Sequence, residues 1–389
     1  MSAPFNDDWT SSLFASQDPV AIDSVGVDFL QAEDAIRKHS CRPGTDDYLH
    51  EAALAENPPS GTFYDPDHSG NVKRLASLGV HEHWNNPTDK KYSRNLGTGK
   101  GIELVAVTSA NRAKQSIIAP GAKVKKLADG FKFTEGPAVD ARGNVFFTDQ
   151  PNNRIHIWST DGKLSIFRHD NPGRSNGLYF DRHGNLLACA DLDNELWQID
   201  MRGNVKVLVK GYKGKKLNGP NDLWPDPKGG IYFTDPFYKR EYWNRGPMEQ
   251  DGKHVYYLKP GYEELIRVTD DLVTPNGIIG APDGKRLYVA DLGDKKTYVY
   301  DINPDATLSN KTLFCSMGSD GMTIDNEGNV YLTGRGVTVF NSAGEQIEHI
   351  PIDARWTANV CFGGADRHTL FITAQESLFA LRMRVKGVQ

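Results

Sequence analysis

Glu135, Asn176, Asn221, Asn276, Asp320 and Asn359 are the residues of this chain best placed to do chemistry. They stand 41, 45, 55, 44 and 39 residues apart, and each ends in a side-chain oxygen. Two carboxylates and four amides gathered in one narrow space repel one another or go unsatisfied unless something positive lies between them. An all-oxygen set suits one hard divalent cation, Ca2+ first and Mg2+ or Mn2+ next, better than a metal that prefers thiolate or imidazole. Two carboxylates balance such an ion and amide carbonyls fill the rest of its shell. The competing reading is a polar, water-filled channel with no ion.

The segments that carry these residues are copies of one another. They read "EGPAVDARGNVFFTD" from Glu135, "NGLYFDRHGNLLACAD" from Asn176, "NDLWPDPKGGIYFTD" from Asn221, "NGIIGAPDGKRLYVAD" from Asn276, "DGMTIDNEGNVYLTG" from Asp320 and "NVCFGGADRHTLFITA" from Asn359. An Asp follows five positions on in four copies (Asp140, Asp181, Asp226, Asp325), and five copies have a Gly three beyond that point (Gly143, Gly184, Gly229, Gly284, Gly328). Those offsets suit a short hairpin turn that needs a side-chain-to-backbone bond and a positive φ. Further strand-like runs lie between the copies, such as "RIHIWS", "HVYYLK" and "GVTVFN". Four strands in each period of ~40–50 residues is the signature of a propeller blade. The prediction is an all-β, six-bladed β-propeller over roughly residues 124–383. Its innermost strands surround a channel, so equivalent strand openings meet at one mouth. Gly follows in four of the six copies (Gly136, Gly177, Gly277, Gly321), as expected where backbones crowd.

The stretches "FTEGPAVD", "LNGPNDLWPDPKGGIYFTDPFY", "TPNGI" and "SDGMTIDNEGNVYLTG" resemble the gluconolactonase, regucalcin (senescence marker protein) and luciferin-regenerating enzyme family of six-bladed, metal-dependent lactonases. The resemblance implies hydrolysis of a sugar-type lactone to its hydroxy acid. It implies Glu135, Asn276 and Asp320 as ligands of one divalent cation, Ca2+ by preference and otherwise Mg2+, Mn2+ or Zn2+. It gives Asp320 the acid/base role as well, and Asn221 contact with the substrate or the metal shell; Asn176, at the same mouth, is assigned to the substrate with it. Gly219 stands where some animal members carry an Arg, so their sugar contacts do not transfer, and the bacterial gluconolactonases match better. A lactone needs its carbonyl polarised, a water activated and a proton for the departing ring oxygen. A cation and a neighbouring carboxylate can supply all three without a Ser-His-Asp arrangement. Two other readings share the scaffold: a phosphotriesterase-like hydrolase using the same metal, and a non-catalytic propeller that binds a partner on its rim.

Lesser signals surround the mouth. Asp149, Asp191, Asp235 and Asp291 recur at the ends of second strands and read as turn caps. The insertion "DPFYKREYWNRGPMEQDGKH" begins beside one of them, and its Tyr238, Tyr242 and Trp243 can line a pocket or form a lid. Lys210, Lys213, Lys215 and Lys216 read as a solvated loop.

Residues 120–389 are thus the expected propeller and lactonase domain, and residues 1–110 an accessory segment outside the repeats. "PVAIDSVGVDFLQAEDAIRKH" has helical apolar spacing with a start at Asp18-Pro19. "SQDPVAIDSVGVDFLQAE" and "SLGVHEHWNN" resemble the C-terminal part of an uncharacterised bacterial family often associated with iron–sulfur proteins, although cluster cysteines are absent here. His81 and His83 form an H-x-H pair, which on a loop and without further ligands reads as incidental. The net charge of −5 across 389 residues argues against a nucleic-acid binder. No apolar run reaches the ~18 residues of a membrane helix, so no membrane partner is expected. The polar N-terminus and four scattered cysteines (Cys41, Cys189, Cys315, Cys361) suggest a reduced, cytoplasmic setting. The expected partner is a small-molecule lactone, and the oligomeric state is left open.

Overall fold

The computed structural model describes residues 16–37, 46–63, 68–70, 75–105, 116–168, 170–240, 243–244 and 246–388. The chain forms two compact units, Met1–Arg112 and Ala113–Gln389. Cys41 and Tyr242 lie outside the described residues.

The second unit is the six-bladed β-propeller. Five blades are four-stranded antiparallel sheets built from consecutive strands. Their inner strands are Thr134–Val139, Leu178–Phe180, Leu223–Pro225, Pro275–Gly280 and Met322–Ile324. The sixth blade joins both ends of the unit: Asn359–Gly363, Thr369–Ala374 and Ser377–Arg382 take Lys125–Asp129 as their outer strand. The preceding segment pairs there too. The Ala119 N–H donates to the Arg382 carbonyl and the Arg384 N–H to the Ile117 carbonyl, and Ile117 is buried in the core of that blade.

The sequence grammar accounts for the layout. Second strands such as Val145–Asp149 and Ile231–Asp235 are buried at every position, because neighbouring blades cover both faces of each sheet. Phe146, for instance, meets Phe180 of the next blade edge-on at 5.0 Å. The hairpin Asp residues act as read. Asp325 Oδ1 accepts the N–H groups of Glu327 and Asn329, each at 2.9 Å. Gly328 beyond it has φ +79°, the left-handed region that favours glycine.

In Met1–Arg112 the helix Pro19–Arg37 starts where the sequence predicts, and Asp47–Ala53 forms a second helix. Asp18 Oδ1 caps the first by accepting the N–H groups of Val20 and Ala21 at 3.0 and 2.9 Å. Val20 and Val27, seven residues apart on one helix face, pack with Leu49 of the second helix. Among the described residues no helix is long and apolar enough to cross a membrane.

Candidate active site at the channel mouth

All six ring residues sit at the head of an inner strand, three inside it or at its first residue and three in the turn just before it. Glycine is what lets them approach. A methyl group at Gly136, where φ is +46°, would run into the Asn176 carbonyl of the next blade. One at Gly321 would run into the Asn359 amide.

The second strands fix the ring through their "FTD" ends. Thr148 Oγ1 donates to the Asn176 carbonyl at 3.2 Å, and Thr234 Oγ1 to that of Asn276 at 2.7 Å. The adjacent Asp holds the loop that leads into its own blade. Asp149 Oδ1 accepts the N–H groups of Lys132 and Phe133, and Asp235 those of Asn218 and Gly219. Asp291 accepts Val273 and Thr274 at 2.7 and 2.8 Å. These Asp residues are turn caps, as expected from sequence. Each bonds two to three residues ahead of a ring residue and so sets where its side chain points.

Within the ring, Asp320 is held at both oxygens. Asn276 Nδ2 donates to Oδ1 at 2.9 Å and Trp356 Nε1 to Oδ2 at 2.6 Å. Burial raises its pKa, against the opposing pull of Trp356, Asn276 and Arg240. Glu135 is 2% exposed and accepts the Gly136 N–H at 2.8 Å. Burial, then the charge of Asp320, pushes it well above the ordinary carboxylate range. Asn276 Nδ2 also donates to the Tyr238 hydroxyl at 2.8 Å, so the insertion reaches the mouth through this residue. Asn176 Oδ1 and Asn276 Oδ1 are buried with no hydrogen-bond partner among the described residues. Asn221 is 4% exposed, with its backbone bonded to Thr234 and Gly177.

Sequence reasoning missed two participants. Trp356, in the turn leading to Asn359, carries no motif, and only the fold shows that it reaches Asp320. Asp222 did leave a signal: it fills the slot after the ring residue where four blades have Gly. Its Oδ1 accepts the Leu223 N–H at 3.0 Å, and the Asn359 amide favours the charged forms of both Asp222 and Glu135. Burial, partly offset by the Leu223 and Ile278 N–H groups, raises its pKa to about 7. Three carboxyls therefore share the channel. The stretch Gly173 to Gly177, "GRSNG", has the G-x-S-x-G spacing of a nucleophile elbow. Ser175 is 2% exposed and donates to the Pro172 carbonyl, and no His among the described residues is bonded to it.

The model of the SMP-30/Gluconolactonase/LRE-like region matches residues 133–376. A gluconolactonase of Zymomonas mobilis is 27% identical over 318 residues, 74% of this chain and 88% of that one. The solved structure of a Xanthomonas campestris gluconolactonase is 30% identical, covers 71% of this chain and 93% of that one, and superposes with a TM-score of 0.65. The diisopropyl-fluorophosphatase of Loligo vulgaris is 27% identical over 282 residues, 65% of this chain and 88% of that one. The match from residue 133 to residue 376 takes in five blades whole and two strands of the sixth, and this chain belongs to the SMP-30/Gluconolactonase/LRE-like family.

Proposed function

We propose that this chain hydrolyses a sugar-type lactone to its hydroxy acid, using one divalent cation held at the channel mouth by Glu135, Asn276 and Asp320. The observation that carries this reading is the donor set. Raised carboxyls converge with two orphaned buried amide oxygens, Asn176 Oδ1 and Asn276 Oδ1. Buried acceptors without donors are costly; a hard cation satisfies Asn276 Oδ1, and a hydroxyl of the lactone satisfies Asn176 Oδ1. Its presence would also return Glu135 and Asp320 to their charged forms. The gluconolactonases of Zymomonas mobilis and Xanthomonas campestris supply the substrate class.

A divalent cation bound there supplies Lewis-acid polarisation of an ester carbonyl. The chain's own residues do the rest. Asp320, fixed by Trp356 and Asn276, takes a proton from the attacking water and returns it to the ring oxygen as the C–O bond breaks, so no net proton is lost from the site. Asn221 and Asn176 orient the lactone. Tyr238 accepts from Asn276 and keeps its own hydroxyl proton available to the substrate.

The test is elemental analysis of purified protein alongside a panel of lactones followed by acid release. Chelation should abolish turnover, and added Ca2+, Mg2+, Mn2+ or Zn2+ should restore it to different degrees. Full activity in thoroughly metal-free protein would overturn the reading. The Loligo vulgaris relative supports adding a phosphotriester to the panel; faster turnover of that compound would assign the same mouth to phosphotriester hydrolysis.

A further inference from the structure

The His81–His83 pair is not alone. Ligand atoms of Asp46, His50, His81 and His83 all lie within 4.8 Å of one another in the unit Met1–Arg112. His83 Nε2 is 3.1 Å from Asp46 Oδ2, and the Nε2 atoms of His50 and His81 are each 3.9 Å from the same oxygen. In the irregular run Val80–His83, His81 and His83 both turn towards Asp46. Glu82 turns the other way, where Ser93 and Ile102 donate to it.

The outer nitrogens are already committed, which decides what the inner ones offer. Ser24 Oγ donates its proton to the Val20 carbonyl at 2.8 Å, so towards His81 it can only accept, at 2.8 Å. The Nδ1 atom of His81 therefore carries the hydrogen and Nε2 is a bare lone pair. The side chain is 2% exposed, and Nε2 is buried with no hydrogen-bond partner among the described residues. His83 Nδ1 lies 2.7 Å from Asp28 Oδ1. Asp28 is 3% exposed and takes Tyr92 Oη–H and the Trp84 N–H on Oδ2. A carboxylate behind one imidazole and a hydroxyl behind another are the outer partners that orient metal-binding histidines.

We infer that Asp46, His50, His81 and His83 form a second metal site, built for a divalent transition ion of the Zn2+ class and separate in donor chemistry from the channel mouth. Three imidazoles and one carboxylate match the nitrogen-rich preference of that class and not that of Ca2+ or Mg2+. Asp46 is the N-cap of the second helix, His50 lies within that helix, and His81 and His83 belong to the irregular run before Trp84, so a bound ion would clamp those two segments together.

Co2+ is the probe, because its visible d–d absorption reports imidazole ligation directly. The full-length protein is first saturated with Ca2+ and then titrated with Co2+. We expect one Co2+ to bind with the spectrum of a nitrogen-ligated ion, and Zn2+ to displace it while further Ca2+ does not. His81→Ala should weaken binding at least ~100-fold, beyond the 10–100-fold typical of losing only an outer partner. His50→Ala, at a half-exposed position that the fold tolerates, should weaken it too and guards against a folding defect in the first variant. Lactone turnover of both variants should equal that of the parent protein. Absence of a nitrogen-ligated spectrum, or an unchanged spectrum and affinity in His50→Ala, would overturn the inference.

Discussion

At the channel mouth six blades each contribute one residue from the same point of their inner strand. In Met1–Arg112 four candidate ligands come instead from one helical turn and one extended loop, with no shared pattern. The first cluster rests on repetition: both "FTD" ends, at Asp149 and Asp235, anchor their own loop and grip the next blade. The second rests on single bonds made once, such as Ser24 to His81 and Asp28 to His83. The donor sets differ accordingly, oxygen in one and mostly nitrogen in the other, so the two clusters should select different metals and fail under different mutations.

The largest separation should come from Asp320→Asn. It keeps size and one oxygen but removes the charge and the basicity. Turnover should fall by ~10²-fold or more, the scale of lost general acid–base help, while the fold survives. Divalent-ion affinity at the mouth should fall with it, and the Co2+ spectrum of the histidine cluster should not change. Asp325→Asn is the control. Among the described residues the Asp325 side chain bonds to its own turn and to Tyr331, so the change should cost stability and spare turnover. Near-normal turnover by Asp320→Asn at saturating metal would remove Asp320 from the mechanism.

Repetition also explains what the sequence discloses. Glu135, Asn276 and Asp320 are legible because the period puts them at equivalent points of equivalent strands, so one argument places all six ring residues. The hairpin caps and the "FTD" ends are legible for the same reason. Trp356 is not, because it reaches Asp320 from an irregular turn outside the period. The histidine cluster is half legible. His81 and His83 are adjacent in sequence, yet His50 lies 31 residues before His81. The packing of Leu49 against Val20 and Val27, a contact that the spacing does not announce, brings that helix to the first one. Asp222 could have been found by asking why, of the two blades that lack the glycine of the other four, one carries a carboxyl there and the other Val360.

A smaller effect, of about tenfold per pH unit for each proton displaced, should separate the clusters through their carboxyls. Asp222 titrates at about 7 when folded, because burial disfavours its charge, and Glu135 is raised further by the charge of Asp320. A carboxyl raised in this way stabilises the metal-free fold fully below its unfolded value of ~4 and loses that contribution as pH rises through its folded value. Metal-free protein should therefore become less stable from about pH 4 to about pH 7. The mouth should bind Ca2+ more tightly over the same range, with proton release measurable by calorimetry in buffers of different ionisation enthalpy. Asp222→Asn should flatten part of that slope. A Ca2+ affinity indifferent to pH would mean that these carboxyls are already ionised before the metal arrives.

The smallest effect tests the anchoring of each cluster. Asp291 accepts four backbone N–H groups, from Val273, Thr274, Gly293 and Asp294. Asp291→Ala strips them all and should cost about 1–3 kcal/mol, the range for buried donors left unpaired, together with a loss of turnover as Asn276 shifts. Asp18 plays the corresponding part in the other unit. It caps the first helix through Oδ1, and its Oδ2 accepts the Val80 N–H at 2.9 Å, one residue before His81. Asp18→Ala should cost about 1 kcal/mol, the usual value of a lost cap, and should weaken Co2+ binding because the His81 loop loses one of its tethers to that helix, beside those from Ser24 and Asp28. Turnover should hold, since none of the described bonds at Glu135, Asn276 or Asp320 comes from residues before Ala113. Denaturation of both variants, followed by turnover and by Co2+ absorption, gives a two-by-two result. Loss confined to the diagonal supports two independently anchored clusters. If Asp18→Ala depressed turnover as much as Asp291→Ala does, the two units would have to be treated as one functional body.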